Sequence, residues 1–432
     1  MMGKRWDGWV NTVLGLGQVA TDKRLSGYHA EGATPSDREY ETIFYEDGLA
    51  ARIVEAVPLA ALRQGFGLVT SSELDPDTKA QAESLIWDRW GDLAAADALY
   101  RAASWGRLFG GGGVLIGTEE SDLEEPLDIE KPHQLVFLRA YDKTGLIPMT
   151  KYTDHLTAEY GEIERYDIQP QDGIGTRFSC HASRLLMFGG VLTSRRERSR
   201  LGYWDHSVLR RVYGDLRDYN IAWASVKNML TDASMGILSI EKLWSILAGK
   251  LRTQFQERLD VINLAKWSAN IMPLDTEEDF RYIERTFTGI PDTMDRLMMR
   301  ISSITGVPVT VLFGRSAAGL NATGENDTRQ WYDIVQSARD KVFQEPIETV
   351  IRMIAMEQNI PDPDSWGIVW PSLWQETPKE FAERMKLTAD VDAAYIDRQV
   401  VTAEEVGQAR YGTGEWSDAA PQIDREGRSM IE

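Results

Sequence analysis

Apolar residues recur at helical spacing from Tyr45 to Gly67 and predict a helix broken at Pro58 and closed by Gly65 and Gly67. Asp75-Pro76-Asp77 gives a capping start for a second helix that runs through Leu85, Ile86 and Trp90. From Gly110 the pattern turns strand-like: GGGVLIG, HQLVFLRAY, GEIERYDIQ and SRLLMFGG are separated by Asp, Pro and Gly clusters, so 110–190 reads as a β-rich unit between helical ones.

A long helix then begins near Asp205. Its apolar residues, Leu209, Val212, Leu216, Tyr219, Trp223, Val226, Leu230 and Ala233, alternate by three and four, a coiled-coil-like seam roughly 45 Å long at the α-helical rise. A small insert follows: strand-like 236–240, a charged helix from Leu251 to Trp267, and strand-like 269–274. Thr276 with Asp279 resembles a capping box, after which the spacing resumes at Phe280, Ile283, Phe287, Ile290, Met294, Leu297, Ile301 and Ile304, broken near Gly289 and Pro291. Gly306-Val307-Pro308 ends that seam, and Leu312-Phe313-Gly314 leads into a loop of small residues. A third long helix runs from Glu325 to Gln358, kinked at Pro346, with Trp331, Val335, Phe343, Ile347 and Ile351 on its apolar side. Thr377 and Thr402, each three residues before a Glu, head two short helices near the end.

The chain has 432 residues and a net charge of −20, which disfavours a tight grip on nucleic acid, because duplex affinity comes mostly from Lys and Arg displacing counterions. A single cysteine, Cys180, excludes an intrachain disulfide framework, and with five scattered histidines it leaves no multi-thiolate or His-rich metal site. No cofactor is expected. No apolar run reaches the ~18 residues of a membrane span, and neither a membrane partner nor a targeting segment is expected. Trp87, Trp90, Trp223, Trp267 and Trp331 fall in helix-like segments, where packing is the expected use.

Candidate chemistry is sparse. Gly110 to Gly113 lacks the following Lys-Ser/Thr of a phosphate loop and reads as a tight bend before a strand. Glu119, Glu120, Asp122, Glu124 and Glu125 read as a solvated loop in preference to a magnesium site. His155-Leu156-Thr157 and His181-Ala182-Ser183 have the form of the paired motifs of two-histidine phosphoesterases, an alternative that requires both histidines in one cleft. No catalytic residue is assigned on the main reading, and the chain is not expected to be an enzyme. Arg195, Arg196, Arg198 and Arg200 form a basic cluster, read first as pairing with acidic groups on a neighbouring subunit and second as touching DNA.

The order of parts resembles the tailed-bacteriophage portal proteins. The resemblance is carried by RIVEAVPLAALRQGFGL (52–68), HASRLLMFGG (181–190), GYWDHSVLRRVYGDLRDYN (202–220) and above all ITGVPVTVLFGRSAAGLNATGENDTRQWYD (304–333), and it spans roughly 45–410. It implies an α+β portal-type fold with a wing (1–204), a first stem helix (205–235), a small α/β clip (236–275), a second stem helix (276–305), a tunnel loop (306–324), a long kinked helix and wing return (325–371) and a short helical crown (372–432). It further implies a ring, expected to be a dodecamer, at the capsid vertex of a virion. Double-stranded DNA would pass through it without sequence specificity. The terminase large subunit, a head-tail adaptor, the major capsid protein and scaffold would be its partners. Subunit contacts would fall on Leu209, Val212, Leu216, Tyr219, Trp223, Phe280, Ile283, Phe287, Met294, Leu297 and Ile301. Arg315, Ser316, Ala317, Ala318, Gly319, Leu320, Asn321, Ala322 and Thr323 would line the channel. A non-channel capsid protein is a further alternative. The physics of the seams agrees with a ring, since an apolar stripe that long needs a partner, and closed head-to-tail contacts provide one.

Overall fold

The computed structural model describes residues 35–72, 74–119, 122–170, 175–231, 234–239, 279–284, 289–314, 325–374, 378–403 and 406–407. The chain divides into two compact units, Met1–Pro371 and Ser372–Glu432.

In the first unit, helix α1 (Asp37–Glu46) opens on a capping box: Glu39 N–H donates to Ser36 Oγ at 3.3 Å, and Ser36 N–H to Glu39 Oε2 at 2.7 Å. Helix α2 (Gly48–Leu62) follows, capped by Asp47. Pro58 does not break α2, contrary to the sequence expectation, and the reason lies on a distant helix. A proline at 58 has no N–H for the Val54 carbonyl. Arg107 supplies the missing donor, its Nε reaching Val54 O at 2.8 Å and its Nη2 reaching Ile53 O at 2.9 Å. Burial pulls the Arg107 guanidinium down to about 10.

Strand β1 (Gly67–Thr70) leads to helix α3 (Pro76–Asp92), which starts on an Asp75 cap with Pro76 in its first turn, and to helix α4 (Ala95–Phe109), closed by Gly110 at φ 89°. Strands β2 (Gly111–Thr118), β3 (Leu135–Asp142), β4 (Leu146–Lys151), β5 (Ile163–Ile168), β6 (Phe178–His181) and β7 (Leu185–Gly189) make the predicted β-rich unit. They form two antiparallel three-stranded sheets, β3-β2-β7 and β4-β5-β6. Strands β4 and β6 were not foreseen. The glycine run is more than a bend, because Gly111 to Gly113 are buried strand residues on which α4 sits. A Cβ on Gly112 would lie 2.5 Å from Ala102 O.

The basic cluster forms a short helix, α5 (Arg195–Arg200), capped by Ser194. After a 3₁₀ turn at Val208–Arg211 comes helix α6 (Tyr213–Thr231), then strands β8 (Ser234–Ser239) and β9 (Asp279–Glu284), which pair antiparallel. Helix α7 (Ile290–Thr305), helix α8 (Val309–Phe313) and helix α9 (Glu325–Ala338) follow. A π-turn at Arg339–Phe343 joins α9 to helix α10 (Gln344–Glu357), and strand β10 (Trp366–Val369) pairs antiparallel with β1. The kink expected at Pro346 takes the form of that π-turn. Pro346 has no N–H for the Val342 carbonyl, and the chain widens by one residue just ahead of it.

Two expectations about the long helices are corrected. The first helix starts at Tyr213, not Asp205, because 208–211 winds as a 3₁₀ turn, and its 19 residues span roughly 28 Å instead of 45. Phe280 and Ile283 lie on β9, so the helix that carries the second seam starts only at Ile290, behind Gly289 at φ 92°. Phe287, most of the insert (240–278) and the loop Arg315–Thr323 lie outside the described residues.

Glu357 ties three elements of the first unit together. Its carboxylate takes both Arg89 Nε (3.0 Å) and Arg89 Nη2 (2.9 Å) from α3, and also the Leu135 N–H of β3 (3.2 Å). In the second unit, helix α11 (Pro378–Asp397) is a single 20-residue element in place of the first short helix expected there, and it has no buried residue.

Candidate functional site

Helices α6 and α7 pack against each other and carry most of the described residues singled out for subunit contact. Their junction with the rest of the unit is apolar: Leu209, Val212, Leu216, Met294 and Ile301 are buried, with Leu297 partly so. The seam residues from 209 to 216 and from 294 to 301 are therefore core of one protomer. Asp215 and Arg300 form an ion pair across the two helices, which holds the Arg300 guanidinium above its ordinary value. Tyr219 is held between Phe313 of α8 (ring centroids 5.7 Å) and Trp223, stacked at 6.4 Å. Asn220 Nδ2 donates to Asp47 Oδ2 at 2.7 Å, tying α6 to the cap of α2.

Beyond Tyr219 the pattern reverses. Trp223 is 58% exposed, and Ile221 and Met229 are exposed as well; Met299 of α7 is exposed at the other end of the pair, next to Arg300. A lone protomer leaves these side chains of α6 in water, where several large exposed apolar residues mark a contact surface. The turn after α7 is fixed by side chains: Ser302 Oγ donates to Val307 O at 2.8 Å and Thr305 Oγ1 to Ile301 O at 2.9 Å. Gly314, at φ 65°, ends α8 at the entrance to the small-residue loop, and Glu325 begins α9 at its exit. Trp331 and Val335 bury α9 against the unit.

Three of the four arginines of α5 have partners in their own chain. Arg195 Nη2 donates to Tyr160 O (2.8 Å), Arg198 lies 3.5 Å from Asp205, and Arg200 lies 3.5 Å from Glu197. Arg196 is exposed.

The paired histidine motifs differ sharply in setting. His155 is exposed in the turns after β4, whereas His181 is 5% exposed and both its ring nitrogens are engaged. Its Nδ1 meets Ser183 Oγ at 2.8 Å and its Nε2 meets Tyr152 Oη at 3.2 Å, and burial holds the imidazole below its usual range. His181 thus caps the turn at 182–184. Cys180 is buried, which pushes its thiol up to about 12. Among the described residues no group of three or more His, Cys, Asp or Glu could hold a metal ion, and no helix is long and apolar enough to cross a membrane.

The sequence reading missed the residues that position these helices. Arg107 had one signal, a proline inside a helical pattern whose carbonyl needs a donor. Arg339 and the Arg89–Glu357 pair had none, since their partners are up to 278 residues away.

The family model for phage portal proteins matches residues 38–394, and the chain belongs to that family. A solved structure titled as the neck of an empty GTA particle, computed with C6 symmetry, is similar in fold. Its TM-score is 0.56 at 15% identity, over 88% of this chain and 95% of that one. The neck of a native GTA particle, computed with C12 symmetry, matches with a TM-score of 0.53 at 14% identity, over 88% of this chain and 96% of that one. A curated relative, the anti-CBASS protein Acb1 of Sphingomonas paeninsulae, is 23% identical over 99% of this chain. The chain spans 68% of that relative's length.

Proposed function

We propose that the protein is the portal of a phage capsid, a ring at one vertex through which double-stranded DNA enters during packaging and leaves at ejection. The reading rests on the family match over 38–394, and the observation that carries it physically is the set of exposed apolar side chains, Ile221, Trp223 and Met229, distributed around the second half of α6. A ring of head-to-tail contacts sets a copy on either side of each subunit and would cover them. The likeness to a neck computed with C12 symmetry supports about twelve copies. In this reading α6 and α7 are the stem, β8, β9 and the residues between them the clip, and α11 part of the crown. Residues 315–323 are the tunnel loop, with Arg315 its sole cation. The net charge of −20 suits a conduit, because a densely basic lumen would hold phosphates instead of letting them slide. The clip is the docking site for the terminase large subunit and then the head-tail adaptor, while the wing meets capsid protein and scaffold.

The test is native mass and end-on electron microscopy of the purified chain, alone and with scaffold. Rings of about twelve copies are expected, with Trp223→Glu leaving folded protomers that do not close. A single-chain mass under every condition overturns the reading. The relative's name, an anti-CBASS protein, raises a second reading, a role other than that of a ring subunit, and the paired histidine motifs make His155 and His181 the residues to test. The burial and double engagement of His181 count against it. Phosphodiester cleavage lost in His155→Ala and His181→Ala would favour it, and no turnover above background is expected.

A further inference from the structure

After β7 the chain crosses through Val191, which bridges to His206, its N–H donating to His206 O at 2.8 Å. Together with α5 and the 3₁₀ turn, this segment walls a cleft of about 540 Å³, lined by Val191, Leu192, Glu197, His206, Arg210 and Arg211 among others. Glu197 is the sole carboxylate in the lining and is shared three ways, with Arg200 at 3.5 Å, His206 at 3.4 Å and Arg210 at 3.9 Å. Arg211 is exposed and has no ion pair among the described residues. Positive charge is therefore in surplus here, on a chain whose net charge is −20. At the rim, Leu192 is 95% exposed.

The complementary surface lies at the other end of the same strand. Gly111, the first residue of β2, pairs with Gly189, just before the cleft, while Thr118, its last, runs into the loop 119–130. At about 3.3 Å per residue the two ends are roughly 25 Å apart. Glu119, Asp122, Glu124, Glu125, Asp128 and Glu130 are all exposed on that loop, and no basic residue falls between 119 and 130. Within the chain, Arg165 meets Glu124 at 3.3 Å and Lys131 meets Asp128 at 2.8 Å, which leaves most of these carboxylates facing water.

We propose that the cleft at Arg210 and Arg211 receives the acidic 119–130 loop of the next copy of this chain. Opposite charges at opposite ends of one sheet satisfy each other in a head-to-tail array, whereas a two-fold contact through either patch would set like charges face to face. Leu192 selects a protein over a nucleic acid as the occupant, because an aliphatic side chain gains by meeting another protein and gains little from a phosphate backbone. The inference rests on the ring reading and adds to it a contact in the β-rich part of the subunit, away from the paired helices.

The experiment compares ring assembly of the full chain, by mass photometry over a range of salt, for wild type, Arg211→Glu, the loop reversal Glu119→Lys/Glu124→Lys/Glu125→Lys, and the two combined. Each reversal alone raises the concentration needed for assembly by about tenfold at low salt, and the combination returns it to within about twofold of wild type. High salt narrows the differences. Wild-type rings that are indifferent to both reversals overturn this contact and leave the ring standing, as does a loss that the combination does not restore. Normal rings of Arg211→Glu that retain less duplex DNA would assign the cleft to nucleic acid and overturn it too. A wild-type chain that forms no ring removes both readings together.

Discussion

Replacing Arg339 by methionine is expected to cost the first unit about 2–4 kcal/mol, because it leaves buried carbonyl groups without a donor at about 1–3 kcal/mol each. Arg339 is 0% exposed and sits in the π-turn between α9 and α10. It has three neutral acceptors on two segments: Nε donates to Ala61 O (3.0 Å) and Nη2 to Gln64 Oε1 (3.2 Å) at the end of α2, and Nη1 to Pro371 O after β10 (2.8 Å). Its guanidinium lies 5.0 Å from the Trp370 ring centroid, and burial lowers its pKa below the arginine value. Methionine fills a similar volume but strips Ala61 and Pro371 of a donor where water cannot replace it. Lysine falls between the two, since a compact ammonium lacks the planar fork that reaches all three acceptors. The surface control is Arg101→Ala: Arg101 meets Asp97 at 2.7 Å, but both are more than half exposed, and the loss is within about 0.5 kcal/mol. Denaturant unfolding of the three variants gives the order, and hydrogen exchange over 325–343 should rise first in Arg339→Met. An Arg339→Met protein as stable as Arg101→Ala would show that the π-turn is held by packing alone.

The contrast between Arg101 and Arg339 also marks what the sequence could and could not disclose. Local signals were legible: the Asp75 cap, the helical stop at Gly306, and the unbroken apolar run Val114, Leu115 and Ile116 of a strand buried on both faces all act within a few residues. The seams were legible in part. Phe280 and Ile283 are three apart, a spacing that suits a helix face, yet FRYIE is also aromatic and β-branched, and over so few residues the two periods do not separate. Pairing with β8, more than forty residues earlier, decided it, from Ser239↔Asp279 to Ser234↔Glu284. Strand β4 was hidden for a related reason: LIPMTK carries a proline, which lowers its strand signal, and a bulge between Pro148 and Thr150 accommodates it against β5. Pro58 misled in the opposite direction, because the donor that rescues its helix is Arg107, on α4. Of the site, the apolar character of α6 and α7 was readable, but not which half faces water, since that depends on Phe313 and Asp47 closing over Tyr219 and Asn220 and stopping there.

Two glycine-to-alanine changes should move stability in opposite directions, and the larger effect falls on Gly112. In β2 it faces α4 so closely that an added Cβ would lie 2.5 Å from Ala102 O and 3.0 Å from Gly106 N, both backbone atoms that no rotamer change can move aside. Gly106 is itself bound by the same contact from the helix side, where a Cβ would lie 2.7 Å from Phe188 O on β7. Helix and sheet thus approach through glycine on both faces, and α4 must lift off β2 to admit a methyl group. Lifting it disturbs Arg107 as well, and with it the donor that keeps α2 intact past Pro58. Overpacking of this kind costs about 3 kcal/mol or more, and Gly112→Ala should either fail to accumulate as folded protein or melt far below wild type. Gly91, near the end of α3, has nothing within 4 Å of its added Cβ. There alanine removes backbone freedom from the unfolded chain at no steric cost, and Gly91→Ala should gain about 0.5–1 kcal/mol. Thermal melts of the two variants beside wild type check both signs. Equal, small shifts would mean that α4 and β2 are not in the tight contact on which the fold of the β-rich unit depends.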